Sequence, residues 1–375
     1  MPSIPDPLEL AQQLIRLDTR NPPGDEHKAA DLLADLLEPA GFSVERHDMA
    51  PGRTNLLASI GPEEDALCLS GHLDTVPLGQ CEWSFDPLCG EVRDGNLLGR
   101  GSSDMKAGVA ALVVAALRFA DSDLRRGLRL VLTAGEENSL EGSQWLEREG
   151  LLGRAGAVVV AEPTALAPFC GHKGVMWLRG LATGRTAHGS MPELGDNAVL
   201  KAARCALALE NLVSGRTHHP VLGPTTLSVN ALRGGEAYNV VPDHAELRVD
   251  VRLSPGEDVD GLLEEIRSAC GSEVVITARE RHDALWTAPD HPFARMAANA
   301  AAEVLGYESE TTGASYFTDA SVLKRAYGGA PTIILGPGLP EQAHQPNEYC
   351  PAANVELCAD IFERLARAWC IPSST

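Results

Sequence analysis

Five side chains able to bind a metal ion, His72, Asp104, Glu137, Glu162 and His344, are spread along the chain. Two imidazoles and three carboxylates make a nitrogen/oxygen ligand set that suits zinc, with cobalt or manganese as substitutes. If five side chains are to hold two ions, one carboxylate must bridge. Ions paired about 3.5–4 Å apart and sharing a water lower its pKa toward about 7, so hydroxide becomes available at neutral pH. Glu136 adjoins Glu137, and the pair supplies both a ligand and a base that takes and returns the proton. In His72-Leu73-Asp74 the carboxylate two residues on is placed to hydrogen-bond the second ring nitrogen and fix its tautomer. Each residue also has an ordinary reading. A lone histidine is usually a satisfied polar residue, Asp104 could cap the helix that follows it, and Glu162 before Pro163 could belong to a turn. Their joint placement outweighs these readings.

That placement comes from short apolar runs. Residues 67–71, 128–133 and 157–160 read as buried strands, and each stops directly before one of the candidates: His72, Glu136-Glu137 and Glu162. Helical spacing of apolar residues predicts helices over 7–18 and 26–37. The Ala/Val/Leu-rich segment 108–120 after Asp104 predicts a buried helix. Strands alternating with helices imply an α/β fold, a mostly parallel sheet covered on both faces. Ligands bind beyond the carboxyl ends of such strands. From 174 the pattern changes to strand 175–183, helix 197–213, strands 225–233 and 243–253, helix 257–269 and strand 273–281. This βαββαβ order is that of a ferredoxin-like sandwich. A helix over 292–305 and a strand over 332–335 then resume the first pattern and lead to His344. The expected division is therefore 1–173 with 285–375 as one domain and 174–284 as an insertion.

Composition narrows the function classes. With 44% hydrophobic and 22% charged residues the chain reads as a globular protein. A net charge of −21 would repel a phosphate backbone, which argues against nucleic acid. No apolar run is long enough for a membrane span, and the N-terminus Met1-Pro2-Ser3-Ile4-Pro5-Asp6-Pro7 lacks the basic and apolar regions of a signal peptide. Nine cysteines without a Cys-x-x-Cys pair point to reduced thiols in a cytoplasm, most of them small core residues and none a metal ligand. Gly99-Arg100-Gly101 lacks the third glycine of a dinucleotide loop. Ser102 and Ser103 sit in no Gly-x-Ser-x-Gly elbow, so a serine hydrolase is disfavoured.

The segments His72-Leu73-Asp74-Thr75-Val76-Pro77, Gly101-Ser102-Ser103-Asp104-Met105-Lys106, Gly135-Glu136-Glu137, Ala161-Glu162-Pro163-Thr164 and Ala343-His344 resemble the di-zinc amidohydrolase and metallopeptidase family. That family includes acetylornithine deacetylase, succinyl-diaminopimelate desuccinylase, aminoacylase and glutamate carboxypeptidase. The resemblance runs from Asn21-Pro22-Pro23-Gly24 to His344. It implies a zinc-peptidase-like catalytic domain with an inserted lid and dimerisation domain. By the resemblance His72, Asp104 and Glu162 hold one zinc, and Asp104, Glu137 and His344 the other. Glu136 is then the general base, Asp74 orients His72, and a cis peptide follows Asp104. Thr186-Ala187-His188-Gly189-Ser190 resembles the segment whose histidine reaches the partner subunit's site and stabilises the oxyanion. Tyr238-Asn239-Val240-Val241-Pro242 and Asp250-Val251-Arg252 resemble segments whose Asn and Arg bind substrate. A guanidinium suits a substrate carboxylate, although Arg252 could equally pair with Asp250 or Glu246.

The expected enzyme is thus a cytoplasmic, homodimeric, zinc-dependent amidohydrolase that removes an acetyl or succinyl group from a small N-acyl amino acid. Gly336-Pro337-Gly338 with residues 342–349 looks most like the acetylornithine deacetylase branch. The pocket-lining stretch around Gly313, residues 313–320, looks closer to desuccinylase-like members. A carboxypeptidase or dipeptidase of the same family is the alternative. A non-catalytic small-molecule-binding protein with this fold is the alternative from another class.

Overall fold

Asp6 caps the first helix α1 (Pro7–Arg16), its carboxylate accepting from the backbone N–H groups of Leu8 and Glu9 with Pro7 in the first turn. The protein is seen here in a computed structural model that describes residues 4–120, 122–210, 212–216 and 218–371. Met1–Ser3, part of the N-terminal stretch considered above, and Asn211 of the expected helix 197–213 lie outside the described residues. The chain divides into two units. The first holds residues up to Gly171, 286–313 and from Thr318 onward; the second holds 172–285 and 314–317.

In the first unit, α2 (His27–Leu37) is followed by strands β1 (Ser43–Ala50), β2 (Arg53–Ile60), β3 (Leu67–His72) and β4 (Asn96–Leu98). Next come α3 (Lys106–Phe119), β5 (Leu128–Thr133), α4 (Glu141–Arg148), β6 (Ala157–Val160) and β7 (Phe169–His172). The main sheet runs β1-β2-β5-β3-β6, continues to the strand Thr332–Ile334, and then reaches β7. Its centre is parallel: β5 with β3, β3 with β6, and β6 with Thr332–Ile334. β1, β2 and β7 flank that centre in antiparallel pairings. The sheet agrees with the mainly parallel α/β class expected from the sequence.

Helix α3 is apolar on nearly every side and buried along nearly its whole length, as a helix at the middle of a domain must be. It approaches the sheet closely because two residues at the contact, one in β3 and one in the helix itself, lack side chains. A Cβ at Gly71 of β3 would come within 2.8 Å of Met105 Cε and 2.9 Å of Val109 Cγ2. A Cβ at Gly108 would collide with the carbonyl oxygen of Ala161, the residue before Glu162. These approaches bring the start of α3, and so Asp104, next to the ends of β3 and β6.

The second unit contains β8 (Gly174–Thr183), α5 (Ala198–Leu209), β9 (Thr226–Gly234), β10 (His244–Leu253), α6 (Val259–Cys270) and β11 (Val274–His282). Its sheet has the order β9-β10-β8-β11, antiparallel throughout. Alternate residues of β10 are buried, and they pack with apolar residues of α5 and α6. Cys205 of α5 and Cys270 of α6 are joined by a disulfide. This corrects the expectation that all thiols are reduced. The two cysteines are 65 residues apart in sequence, and only the packing of both helices on one sheet brings them together. Five of the remaining cysteines, Cys68, Cys170, Cys350, Cys358 and Cys370, are buried, Cys89 is half-buried and Cys81 is exposed.

The chain closes in the first unit with α7 (Pro292–Leu305), α8 (Ala320–Ala326), β12 (Thr332–Ile334), β13 (Tyr349–Pro351) and α9 (Ala352–Cys370). Helix α9 packs against α3. Among the described residues no helix is long and apolar enough to cross a membrane.

Candidate active site

His72 is the last residue of β3, Glu136 and Glu137 follow β5, Glu162 follows β6, and His344 lies in the segment after β12. Asp104 sits in the turn between β4 and α3. Four parallel strands thus point their carboxyl ends at one place. There His72 Nε2 lies 3.1 Å from Asp104 Oδ1 and 3.9 Å from Glu162 Oε1. His344 Nε2 lies 3.3 Å from Asp104 Oδ2 and 3.0 Å from Glu137 Oε2. Two groups result, His72/Asp104/Glu162 and Asp104/Glu137/His344, with donor atoms within 4.8 Å of one another in each. Asp104 belongs to both and turns one carboxylate oxygen toward each histidine. The peptide bond after it is cis.

Burial and crowding dominate the electrostatics. Burial pushes the Glu136 and Glu162 carboxyls well above the ordinary carboxylate range, with neighbouring carboxylates adding to the shift. Glu137 is raised by burial and by Asp104. Burial would raise Asp104 as well, yet hydrogen bonds from His344 and His72 hold it below its usual value. Burial opposes a charge on His72, but Asp104 and the nearby glutamates keep its imidazole well above its ordinary value. The hydrogen bond to Asp104, then that to Glu137, raises His344 to about 10. Four clustered carboxylates at low dielectric need compensating positive charge. Two divalent cations would balance all four with both imidazoles neutral, and the nitrogen/oxygen donors are those zinc accepts. The residues therefore fit a pair of metal ions.

Residues behind the candidate ligands fix them in place. His72 Nδ1 lies 2.9 Å from the backbone carbonyl oxygen of Asp74, which accepts its proton when His72 binds through Nε2. The expected carboxylate contact is longer, 3.6 Å to Asp74 Oδ1. Here the structure corrects the sequence reading, because the Asp74 carboxylate is engaged elsewhere. It accepts from the backbone N–H of Glu136 at 3.0 Å and of Glu137 at 3.2 Å, and from Asn21 Nδ2 at 3.1 Å. Asp74 thus pins the turn that presents the acidic pair.

Two buried carboxylates were missed in the sequence. Asp319 accepts from the Thr133 hydroxyl at 2.6 Å and from the Ser143 hydroxyl, bracing both ends of the Glu136 turn. Glu348 accepts from Arg100 at 2.7 Å and from the backbone N–H groups of Gly101, Ser103 and Asp104 at 3.0, 2.8 and 3.0 Å. The local signals for Glu348 are its place four residues after His344 and within the stretch 342–349, and neither reveals its partners.

His188, Asn239 and Arg252 belong to the second unit. The short strand Ala187–His188 pairs with Val240–Val241, and Gly189 N–H donates to Asn239 O at 2.7 Å, so the first two residues are neighbours. Ser190 N–H donates to His188 Nδ1 at 3.2 Å, which puts the proton of the neutral ring on Nε2. Arg252 makes a two-point pair with Asp250, at 2.8 and 3.1 Å, and Trp177 Nε1 donates to the same carboxylate at 2.9 Å. Gly313 lies in the short strand Thr312–Ala314.

The profile of peptidase family M20/M25/M40 matches residues 68–368. The acetylornithine deacetylase of Vibrio atlanticus (strain LGP32) is 31% identical over 385 residues, covering 98% of this chain and 99% of its own. That of Proteus mirabilis (strain HI4320) is 32% identical over 389 residues, covering 98% of each. Among solved structures, an M20 family metallo-carboxypeptidase from Sulfolobus solfataricus superposes with a TM-score of 0.81 at 17% identity, covering 97% of this chain and 99% of that one.

Proposed function

Because the chain belongs to peptidase family M20/M25/M40 and is a metal-dependent amidohydrolase, we propose that it deacylates an N-acetyl or N-succinyl amino acid at a two-zinc site. The observation that carries the two-ion reading is Asp104, whose oxygens face His72 and His344 separately. His72, Asp104 and Glu162 would hold one ion, and Asp104, Glu137 and His344 the other, with cobalt or manganese able to replace zinc. When bound, the ions would acidify a shared water and polarise the acyl carbonyl.

The remaining chemistry belongs to side chains. Glu136, held in its turn by Asp74, takes the proton of the attacking water and delivers it to the leaving amine nitrogen. His188, reaching in from the partner of a homodimer, offers Nε2–H to the oxyanion. Asn239 and the Arg252 guanidinium bind the substrate, Arg252 through a carboxylate for which it exchanges part of its pairing with Asp250. Full-length identity to acetylornithine deacetylases supports an N-acetylated amino acid as the first substrate to try. The seven free cysteines support a cytoplasmic location, and the Cys205–Cys270 bond is the feature that departs from it.

The test is hydrolysis of a panel of N-acetyl amino acids, N-succinyl amino acids and dipeptides, with and without a chelator. Chelator-sensitive cleavage that favours the acylated amino acids is expected. A clear preference for dipeptides would transfer the chain to the peptidase reading. Absence of metal-dependent cleavage across the panel would leave only a binding role.

A further inference from the structure

The two ligand groups are built differently. His72 and Glu162 sit at adjacent strand ends in the sheet, and His72 is held from behind by the Asp74 carbonyl. The His72 side chain is 1% exposed, whereas that of His344 is 53% exposed. His344 is carried by a segment that makes a regular strand only at β12 and again at β13. Its partner Asp104 also lies in a loop. Among the links that hold these two loops together is one buried ion pair.

The Glu348 carboxylate spans them. One oxygen accepts from Arg100 Nη1 and Gly101 N–H, the other from Ser103 and Asp104 N–H. Arg100 answers from the opposite side, Nη1 also donating to the carbonyl of Gln345, next to His344, at 3.2 Å. Both side chains are almost fully buried. The Ser103 hydroxyl adds a bond to Tyr349 O at 2.7 Å and accepts from Leu339 N–H at 3.1 Å. A Cβ at Gly338 would collide with Ser103 O, so the two loops touch backbone to backbone. A buried carboxylate satisfied by four donors in one geometry fixes the position of every donor it binds.

We propose that the Arg100–Glu348 pair is a positioning clamp that sets Asp104 against His344 and thereby governs the affinity of the Asp104/Glu137/His344 position selectively. The clamp rests on the two-ion reading given above. Glu348 belongs to neither group of candidate metal ligands. It acts through the backbone of the bridging ligand and through the segment that carries His344. The His72/Asp104/Glu162 position, anchored on the sheet, depends on it less.

The test compares wild-type and Glu348→Gln chains, stripped of metal and titrated with zinc by calorimetry. Thermal melting and the visible absorption of the cobalt-loaded forms are recorded alongside. The expected result is two zinc-binding steps in both chains. The step that belongs to the Asp104/Glu137/His344 position, identified as the one missing in Glu137→Ala, is weakened about 10–100-fold in E348Q, while the other step is unchanged and the cobalt spectrum alters for the weakened ion only. Two unchanged steps, or two steps weakened equally, would overturn the clamp while leaving the two-ion reading intact. A wild-type chain that binds fewer than two ions would overturn that reading and the clamp with it. If E348Q does not fold, Arg100→Lys, which keeps the carboxylate and its three backbone donors, is read by the same criteria.

Discussion

Glu136 and Glu137 are neighbours in sequence and both rest on the Asp74 carboxylate, yet they face different partners. Glu137 meets His344, while Glu136 lies close to Glu162 and His72 in a pocket that pushes its carboxyl well above the usual range. Glu136→Gln is expected to keep both ions by elemental analysis and lose about 10²–10⁴-fold in kcat. Glu137→Ala is expected to lose one ion. Near-normal turnover of the first variant, or full metal content in the second, would contradict the division of roles. His72, Glu136, Glu137, Glu162 and Asp104 are legible because each lies within a few residues of a short apolar run, whereas His344 stands well beyond the end of β12 and is legible only through its resemblance to a family segment. Glu348 falls in the stretch 342–349, but its role is not legible there, because Arg100, its partner, is 248 positions away. The Asp74 contact differs from the expected one for a related reason. Sequence spacing says that Asp74 can reach His72, but not that the backbone N–H groups of a distant turn claim its carboxylate first.

Elements were read best where burial is one-sided or complete. The β10 alternation and the apolar runs of β3, β5 and β6 mark themselves, and the observed bounds differ from the expected ones by only a residue or two. The strand β1 is largely exposed, with no apolar period to reveal it in the sequence. Helix α9 lies outside the elements expected from the sequence, and Val355, Cys358, Ala359, Phe362, Leu365 and Ala366 bury one of its faces at helical spacing. The Cys205–Cys270 bond was invisible because it depends on how α5 and α6 pack. Thiol labelling of the unfolded, unreduced chain should find seven reactive cysteines of the nine, and nine after reduction. In the chain-entropy picture, closing so long a loop stabilises the fold by about 4 kcal/mol. Replacing both cysteines with alanine should lower the unfolding free energy by about 2–4 kcal/mol, measured with denaturant. Nine reactive thiols before reduction would contradict the bond.

At the scale of the whole molecule two cores pack separately, the first carrying the candidate ligands and base and the second carrying His188, Asn239 and Arg252. If His188 works in its partner's site, mixing an inactive His188→Ala chain with an inactive Glu136→Gln chain should restore part of the activity once subunits exchange. Verified exchange without recovery would contradict the shared site. The net charge of −21 describes the surface and leaves the pocket's preference to these side chains. The most direct test is to strip the metal, add zinc stepwise, and follow hydrolysis of an N-acetyl amino acid from the panel. Activity that is absent in the stripped chain and reaches its maximum at two zinc ions per chain is the predicted result. Full activity without metal, or a maximum already reached at one ion per chain with no gain from a second, would contradict the two-ion account.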